Sequence, residues 1–188
     1  DLLNFWLYVQ SERRNRIRRS EVIDKLQKVG RFLSERHLYH KEWFTSIYPI
    51  EDHPIVEPQI SLLKDEFYAG VSARYDHILA NLDFRRELKL QEVAQAFQKT
   101  SVVILHAASG QGKTTLAYRY IHDSYPSKWR FSVEAIENRQ HALSIASALA
   151  GHANAIQSPM AILIDVSPRD TEWPELVKQL SKNQYLQI

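Results

Sequence analysis

Eight consecutive residues carry the most specific chemistry in the chain: Ala107-Ala108-Ser109-Gly110-Gln111-Gly112-Lys113-Thr114. Glycines allow a turn tight enough for backbone N–H groups to converge, and converging N–H groups make a cradle for an anion. The apolar run Val102-Val103-Ile104-Leu105 precedes this turn, and the helix-like stretch Thr115–Ile121 follows it. Strand, glycine-containing turn, Gly-Lys-Thr and helix form the context that a nucleotide-binding P-loop requires. A helix starting at Lys113 adds its free N–H groups and the positive end of its dipole. Lys113 would place a point charge between the β- and γ-phosphates, Thr114 would offer its hydroxyl to Mg²⁺, and Thr115 would reach the α-phosphate. Ala108, Ser109, Gly110, Gln111, Gly112, Lys113, Thr114 and Thr115 are therefore the candidate nucleotide-binding residues. Ala107 stands where the motif usually has glycine, and its methyl group narrows the backbone angles open to that position. The plainer alternative is a Gly/Ser-rich turn between two core elements.

A second pattern supplies a carboxylate. Met160-Ala161-Ile162-Leu163-Ile164-Asp165 is a short apolar run ending in an acid, which reads as a buried parallel strand. Asp165 would then emerge at the carboxyl edge of the sheet, where α/β proteins bind ligands. There it could share Mg²⁺ with Thr114, as a Walker B aspartate does. The alternative is an aspartate that caps a turn. Many P-loop ATPases place a glutamate directly after this aspartate to polarise the attacking water, but here Val166 and Ser167 follow. Asp170 and Glu172 come later, in a loop containing Pro168. Asp170 joins Lys113 and Asp165 in the candidate catalytic set, although solvated loop acids or helix caps are the plainer reading. The pattern thus supports binding more strongly than hydrolysis, and a slow switch better than a fast motor.

Elements elsewhere must hold these groups in place. The chain has 188 residues, 44% of them apolar, enough for one α/β domain and a smaller helical piece. A net charge of +2 gives no global attraction to nucleic acid, and the lack of cysteine excludes disulfides and thiolate metal sites. No segment approaches the roughly 20 apolar residues of a membrane span. The N-terminus shows neither an initiator Met nor a signal pattern, and Tyr185–Ile188 reads as the start of a strand. A cytoplasmic window on a longer protein is the expectation.

Organisation changes along the chain. Residues 1–60 are expected to be helical in character, with a helix over Val22–Leu33 capped by Ser20 and an extended linker around Pro49, Pro54 and Pro58. Residues 61–188 are expected to hold the truncated NTPase core. Short helices are expected at Ile60–Tyr68, Ser72–Leu82 and Arg86–Gln98. Strands are then expected at Val102–His106, Trp129–Val133, Met160–Asp165 and Tyr185–Ile188, alternating with helices at Lys113–His122, Arg139–Ala150 and Glu172–Leu180. Such alternation implies a parallel sheet flanked by helices.

Remaining features have bland readings. Arg13, Arg14, Arg16, Arg18 and Arg19 could contact nucleic acid, but a basic helix face or partner strip is the commoner meaning. His37 and His40 lack a third metal ligand nearby. Trp6, Trp43, Trp129 and Trp173 suit packing. No Ser/His/Asp or Cys/His set has a recognisable local signature.

The blocks Phe67-Tyr68-Ala69-Gly70-Val71, Asp83-Phe84-Arg85-Arg86 and Ile104–Tyr120 together resemble the STAND class of P-loop NTPases, and are most similar to the bacterial antiviral STAND ATPases called Avs proteins. Ala108-Ser109-Gly110-Gln111-Gly112-Lys113 with Leu116-Ala117 is the most specific part, and Ile162–Asp165 with Trp173 also fits. The likeness covers about residues 65–188. It implies an ATP- and magnesium-dependent switch that self-associates and so activates an N-terminal effector, often a nuclease, of which residues 1–60 would be the C-terminal end or the helical connector to the NTPase core. The resemblance also implies a trigger, such as a viral protein, recognised by repeats beyond Ile188, with nucleic acid reached only through an effector and no membrane partner. Residues around Phe67–Val71 and Arg85–Arg86 would border the adenine or merely pack. Rival functions are a small-molecule kinase, for which only Arg169 offers a lid arginine, a motor ATPase, or a nucleotide-binding scaffold without turnover. The absence of a guanine-reading motif favours adenine.

Overall fold

The computed structural model describes Glu42, residues 45–165 and residues 170–188. The expected helix at Val22–Leu33, the arginine run, His37, His40, Trp6, Trp43 and the stretch Val166–Arg169 lie outside the described residues. The chain parts into two units, residues 1–41 and residues 42–188, and every element below belongs to the second.

The elements run β1 (Ile47–Pro49), α1 (Glu57–Tyr68), α2 (Tyr75–Leu79), α3 (Glu87–Phe97), α4 (Lys113–Ser124), β2 (Arg130–Val133), α5 (Arg139–Ile156), β3 (Met160–Ile164), α6 (Trp173–Leu180) and β4 (Leu186–Gln187). The fold is α/β, with a four-stranded sheet in the order β1-β2-β3-β4. β2, β3 and β4 are parallel, whereas β1 runs antiparallel to β2, so the sheet is mixed rather than wholly parallel. β1 comes from the stretch expected to be linker. It is only three residues long, too short for a periodic signal, and it buries Ile47 while Tyr48 and Pro49 stay exposed. Proline is tolerated there because β1 is an edge strand. Pro58, also expected in the linker, instead sits in the first turn of α1, where its fixed φ suits a helix start.

Val102–His106 is not a strand. Val103 N–H donates to Ile188 O at 2.8 Å and Ile188 N–H donates to Ser101 O at 2.8 Å, which makes a parallel bridge beside β4. Ile104 is exposed. Residues 101–103 therefore extend the spatial order past β4, and β4 lies between them and β3.

α5 and α6 cover one face of the sheet. The buried stripe of α5 (Ala142, Ile145, Ala146, Leu149 and Ala153) is rich in alanine and admits close approach of α6, whose Leu176 and Leu180 are buried. Asn138 starts α5 by accepting the His141 N–H at 2.9 Å. The helix runs on past the expected Ala150 until Gln157 turns left-handed at φ 53°.

α4 lies against the other face and is held by two arginines. Arg119 is buried and donates from Nε to Asp83 Oδ2 at 2.9 Å, from Nη2 to the second oxygen of Asp83, and to Ile78 O at 3.2 Å and Asn81 Oδ1 at 3.1 Å. This set pins the α2–α3 connection onto α4. Arg130 of β2 donates to Tyr125 O at 2.6 Å, to His122 O at 3.0 Å, to Asp52 Oδ1 at 2.7 Å and to the Tyr75 hydroxyl, and thereby fastens the far end of α4 to the sheet. Burial pushes the Asp52 carboxyl up, but hydrogen bonds from Tyr75 and Arg130 and the Arg130 charge outweigh it and hold the group below its ordinary 3.8. Among the described residues no helix is long and apolar enough to cross a membrane.

Two outcomes follow for stability. Asp83→Ala strands a buried guanidinium and should cost about 3–5 kcal/mol by chemical denaturation, whereas replacing Asp83 and Arg119 together by apolar residues should recover part of that loss. A lowered carboxyl pKa contributes stability above 3.8 that disappears as the pH falls through the folded value. Thermal midpoints measured downward from pH 6 should therefore drop in the acid range, and Asp52→Asn should flatten that drop.

Candidate functional site

The loop 107–112 ends in two left-handed glycines, Gly110 at φ 77° and Gly112 at φ 68°. Gly112 is also the residue that starts α4, so the turn feeds directly into the helix. Side chains rarely adopt these backbone angles, which accounts for glycine at both positions. A helix cannot satisfy its own first N–H groups, so those of Lys113, Thr114 and Thr115 are open to a ligand at the end that carries positive dipole charge.

Arg86, just ahead of α3, clasps this turn from outside. Its Nη1 donates to Gln111 O at 3.0 Å and its Nη2 donates to Gly112 O. Carbonyl oxygens would repel an anion, and here two of them are occupied by a cation. The guanidinium lies so close that a Cβ on Gly112 would meet Arg86 Nη2 at 3.1 Å. Arg85 and Arg86 were open to two roles, bordering an adenine or packing; Arg86 lies on the loop backbone, and Arg85 pairs with Asp123 at 2.8 Å and Glu87 at 2.6 Å. The only sequence signal for the clasp was an arginine among the residues leading into the helix before the loop strand. Phe67 packs on Tyr68 and on buried His77, with ring centroids 5.8 and 5.2 Å away, and thus belongs to the α1–α2 packing.

Lys113 folds back over the turn. Its Nζ donates to Ala107 O at 2.9 Å and Ala108 O at 3.0 Å, so the ammonium sits over the concavity that an anion would enter. Ser109, Gly110 and Gln111 are exposed, while Thr115 is half-buried. Thr114 Oγ1 donates to Asp165 Oδ2 at 3.1 Å, joining residues far apart in sequence. Asp165 stands one residue past β3, at the carboxyl edge of the parallel strands. The hydroxyl and the carboxylate expected to hold a divalent cation are thus adjacent.

Among the described residues no group of three or more His, Cys, Asp or Glu side chains gathers as a metal set. A cation at Thr114 and Asp165 would need further oxygens from its ligand, which is how Mg²⁺ is commonly bound, with one or two carboxylates and substrate phosphates. The residues therefore fit Mg²⁺ arriving with a polyphosphate.

Asp170 has a local task. Its Oδ1 accepts the Glu172 N–H at 3.1 Å at the start of α6, and Glu172 Oε1 accepts the Thr171 hydroxyl at 3.3 Å. Among the described residues no hydrogen bond or ion pair links Asp170 to Lys113, Thr114 or Asp165. A cavity of about 240 Å³ is lined by Val93, Phe97, Ile121, Leu163, Trp173 and Val177 and reaches Lys113, Thr114 and Asp165. Its apolar floor lowers the local dielectric and strengthens charge interactions at the rim.

No family model matches the chain, and no curated protein and no solved structure is significantly similar to it.

Gly112→Ala forces a side chain into a left-handed backbone and toward the Arg86 guanidinium. The substitution should destabilise the protein by about 1–2 kcal/mol in thermal or denaturant unfolding, and Gly112→Asn should cost less because asparagine tolerates that conformation better.

Proposed function

We propose that the loop 107–112, with Lys113, Thr114 and Thr115, binds ATP with Mg²⁺, and that the chain is the P-loop NTPase core of a STAND-type switch. One observation carries this reading: a glycine turn opens onto a helix N-terminus whose lysine overhangs the turn and whose threonine touches the carboxylate at the end of a neighbouring parallel strand. N–H groups and the helix dipole would surround the phosphates, Lys113 would supply charge between the outer two, and Thr114 and Asp165 would hold Mg²⁺. Magnesium, when bound, neutralises charge developing on the phosphate oxygens.

The switch follows from unequal binding. ATP favours whichever domain arrangement orders the loop, Lys113 and Asp165 together, and only that difference in affinity can drive a change of state. The resemblance of residues 65–188 to antiviral STAND ATPases supplies the rest of the proposal: self-association on ATP binding, activation of an effector at the N-terminal side, and a trigger bound elsewhere in a longer protein.

Titration of the purified chain with Mg-ATP, followed by size-exclusion chromatography, tests it. Lys113→Ala should keep the wild-type thermal midpoint, lose roughly 10- to 150-fold in affinity as one charged hydrogen-bonding group of about 1.5–3 kcal/mol disappears, and fail to shift its elution volume. Unchanged affinity in the folded variant would refute the site.

A further inference from the structure

The sequence lacks a glutamate after Asp165, but the sheet register supplies an acid beside it. Val133 of β2 pairs with Ile164 of β3 in parallel register. The next residues, Glu134 and Asp165, therefore leave the sheet side by side, with Cα atoms about 4.8 Å apart at the usual spacing of paired strands. The backbone is still laddered at this point, since Glu134 N–H donates to Ser46 O at 3.3 Å on the β1 side.

Alternation fixes the face. Arg130 reaches His122 O and Tyr125 O at the end of α4, so Arg130, Ser132 and Glu134 point toward α4. Their partners in register, Ala161, Leu163 and then Asp165, point the same way. Thr114 and Tyr118 lie one turn apart on the facing side of α4. Thr114 holds Asp165, and the Tyr118 hydroxyl is pushed up by burial first and then by the negative charges of Glu134, Asp165 and Asp76. Glu134 is exposed, and among the described residues no hydrogen bond or ion pair engages its carboxylate. Asp170 and Glu172, the acids further along the chain, are taken up at the start of α6.

We propose that Glu134 is the general base for hydrolysis at this site, an inference that rests on the phosphate-binding reading above. Its carboxylate accepts a proton from a water molecule while the water oxygen bonds to the terminal phosphorus. The bond from that phosphorus to the β–γ bridging oxygen breaks, and the bridging oxygen keeps the electron pair as part of the diphosphate. Glu134 then releases its proton to solvent, so that ATP and water yield ADP, inorganic phosphate and a proton.

The experiment compares the full chain with Glu134→Gln, an isosteric change at an exposed position. Mg-ATP turnover should fall about 100-fold or more, the lower range for loss of a positioned base. Calorimetry should show Mg-ADP affinity unchanged and Mg-ATP affinity equal or higher, because the variant removes a negative charge next to the terminal phosphate. Nucleotide extracted from the protein after incubation should be ATP in the variant and ADP in the wild type. Wild-type turnover in Glu134→Gln overturns the assignment. So does a parallel loss of ADP and ATP binding, which would make Glu134 a structural residue, and so does a wild-type chain that binds Mg-ATP without cleaving it. Failure of the wild type to bind nucleotide at all sinks the phosphate-site reading itself and is distinct from these three.

Discussion

The arrangement depends on holding one helix end against one strand end. The N-terminus of α4 has N–H groups that no helix can satisfy and a partial positive charge that no side chain of the loop neutralises. Left in solvent, that end would hydrate and fray. Placed beside the carboxyl edge of β3, it becomes a site, because Thr114 meets Asp165 and Lys113 hangs over the turn. The bond between Thr114 and Asp165 is modest in energy. Its geometry exists only because other contacts have already set the helix.

Those contacts are mostly polar and mostly made by arginine. Arg119 ties the middle of α4 to the α2–α3 connection, Arg130 ties the end of α4 to β2, and Arg86 ties the loop to the entry of α3. Each guanidinium engages several acceptors at once, which a planar fork of donors does better than a flexible ammonium. Several of these acceptors are backbone carbonyls at helix ends and turns, the groups that helices leave unsatisfied. On the opposite face α5 and α6 contribute buried alanine and leucine, while on the α4 side Leu90, Val93 and Ile121 are buried as well.

The sheet edge has its own logic. Parallel strands in register bring successive carboxyl-end residues into a row, so an acid on one strand acquires neighbours from the next. Asp165 and Glu134 each follow a residue of the last pair between β3 and β2, so their backbones stand in such a row. In the proposed reading an anionic ligand meets carboxylate as well as lysine at the mouth of the glycine turn and needs a cation to enter, which is the physical reason for expecting magnesium with a nucleotide.

Local patterns alone determined the helices from α3 onward, the strand ending at Asp165, and the loop with Lys113 and Thr114 at its close. These features are written in short-range chemistry: glycine where φ is positive, apolar runs where a strand is buried, and Asn138 where a helix starts. Only the tertiary structure decided which acids stand together. Nothing in the spacing of Glu134 hints at Asp165, because their meeting is set by strand register. Arg86 reaches the loop through a turn in the chain that composition does not encode, and β1 joins the sheet through three residues too few for any periodic signal. Asp170, near Asp165 in sequence, spends its oxygen on a helix start instead. Proximity along a chain reports bonding options within one turn, whereas a site at a sheet edge is assembled from residues that only packing can bring side by side.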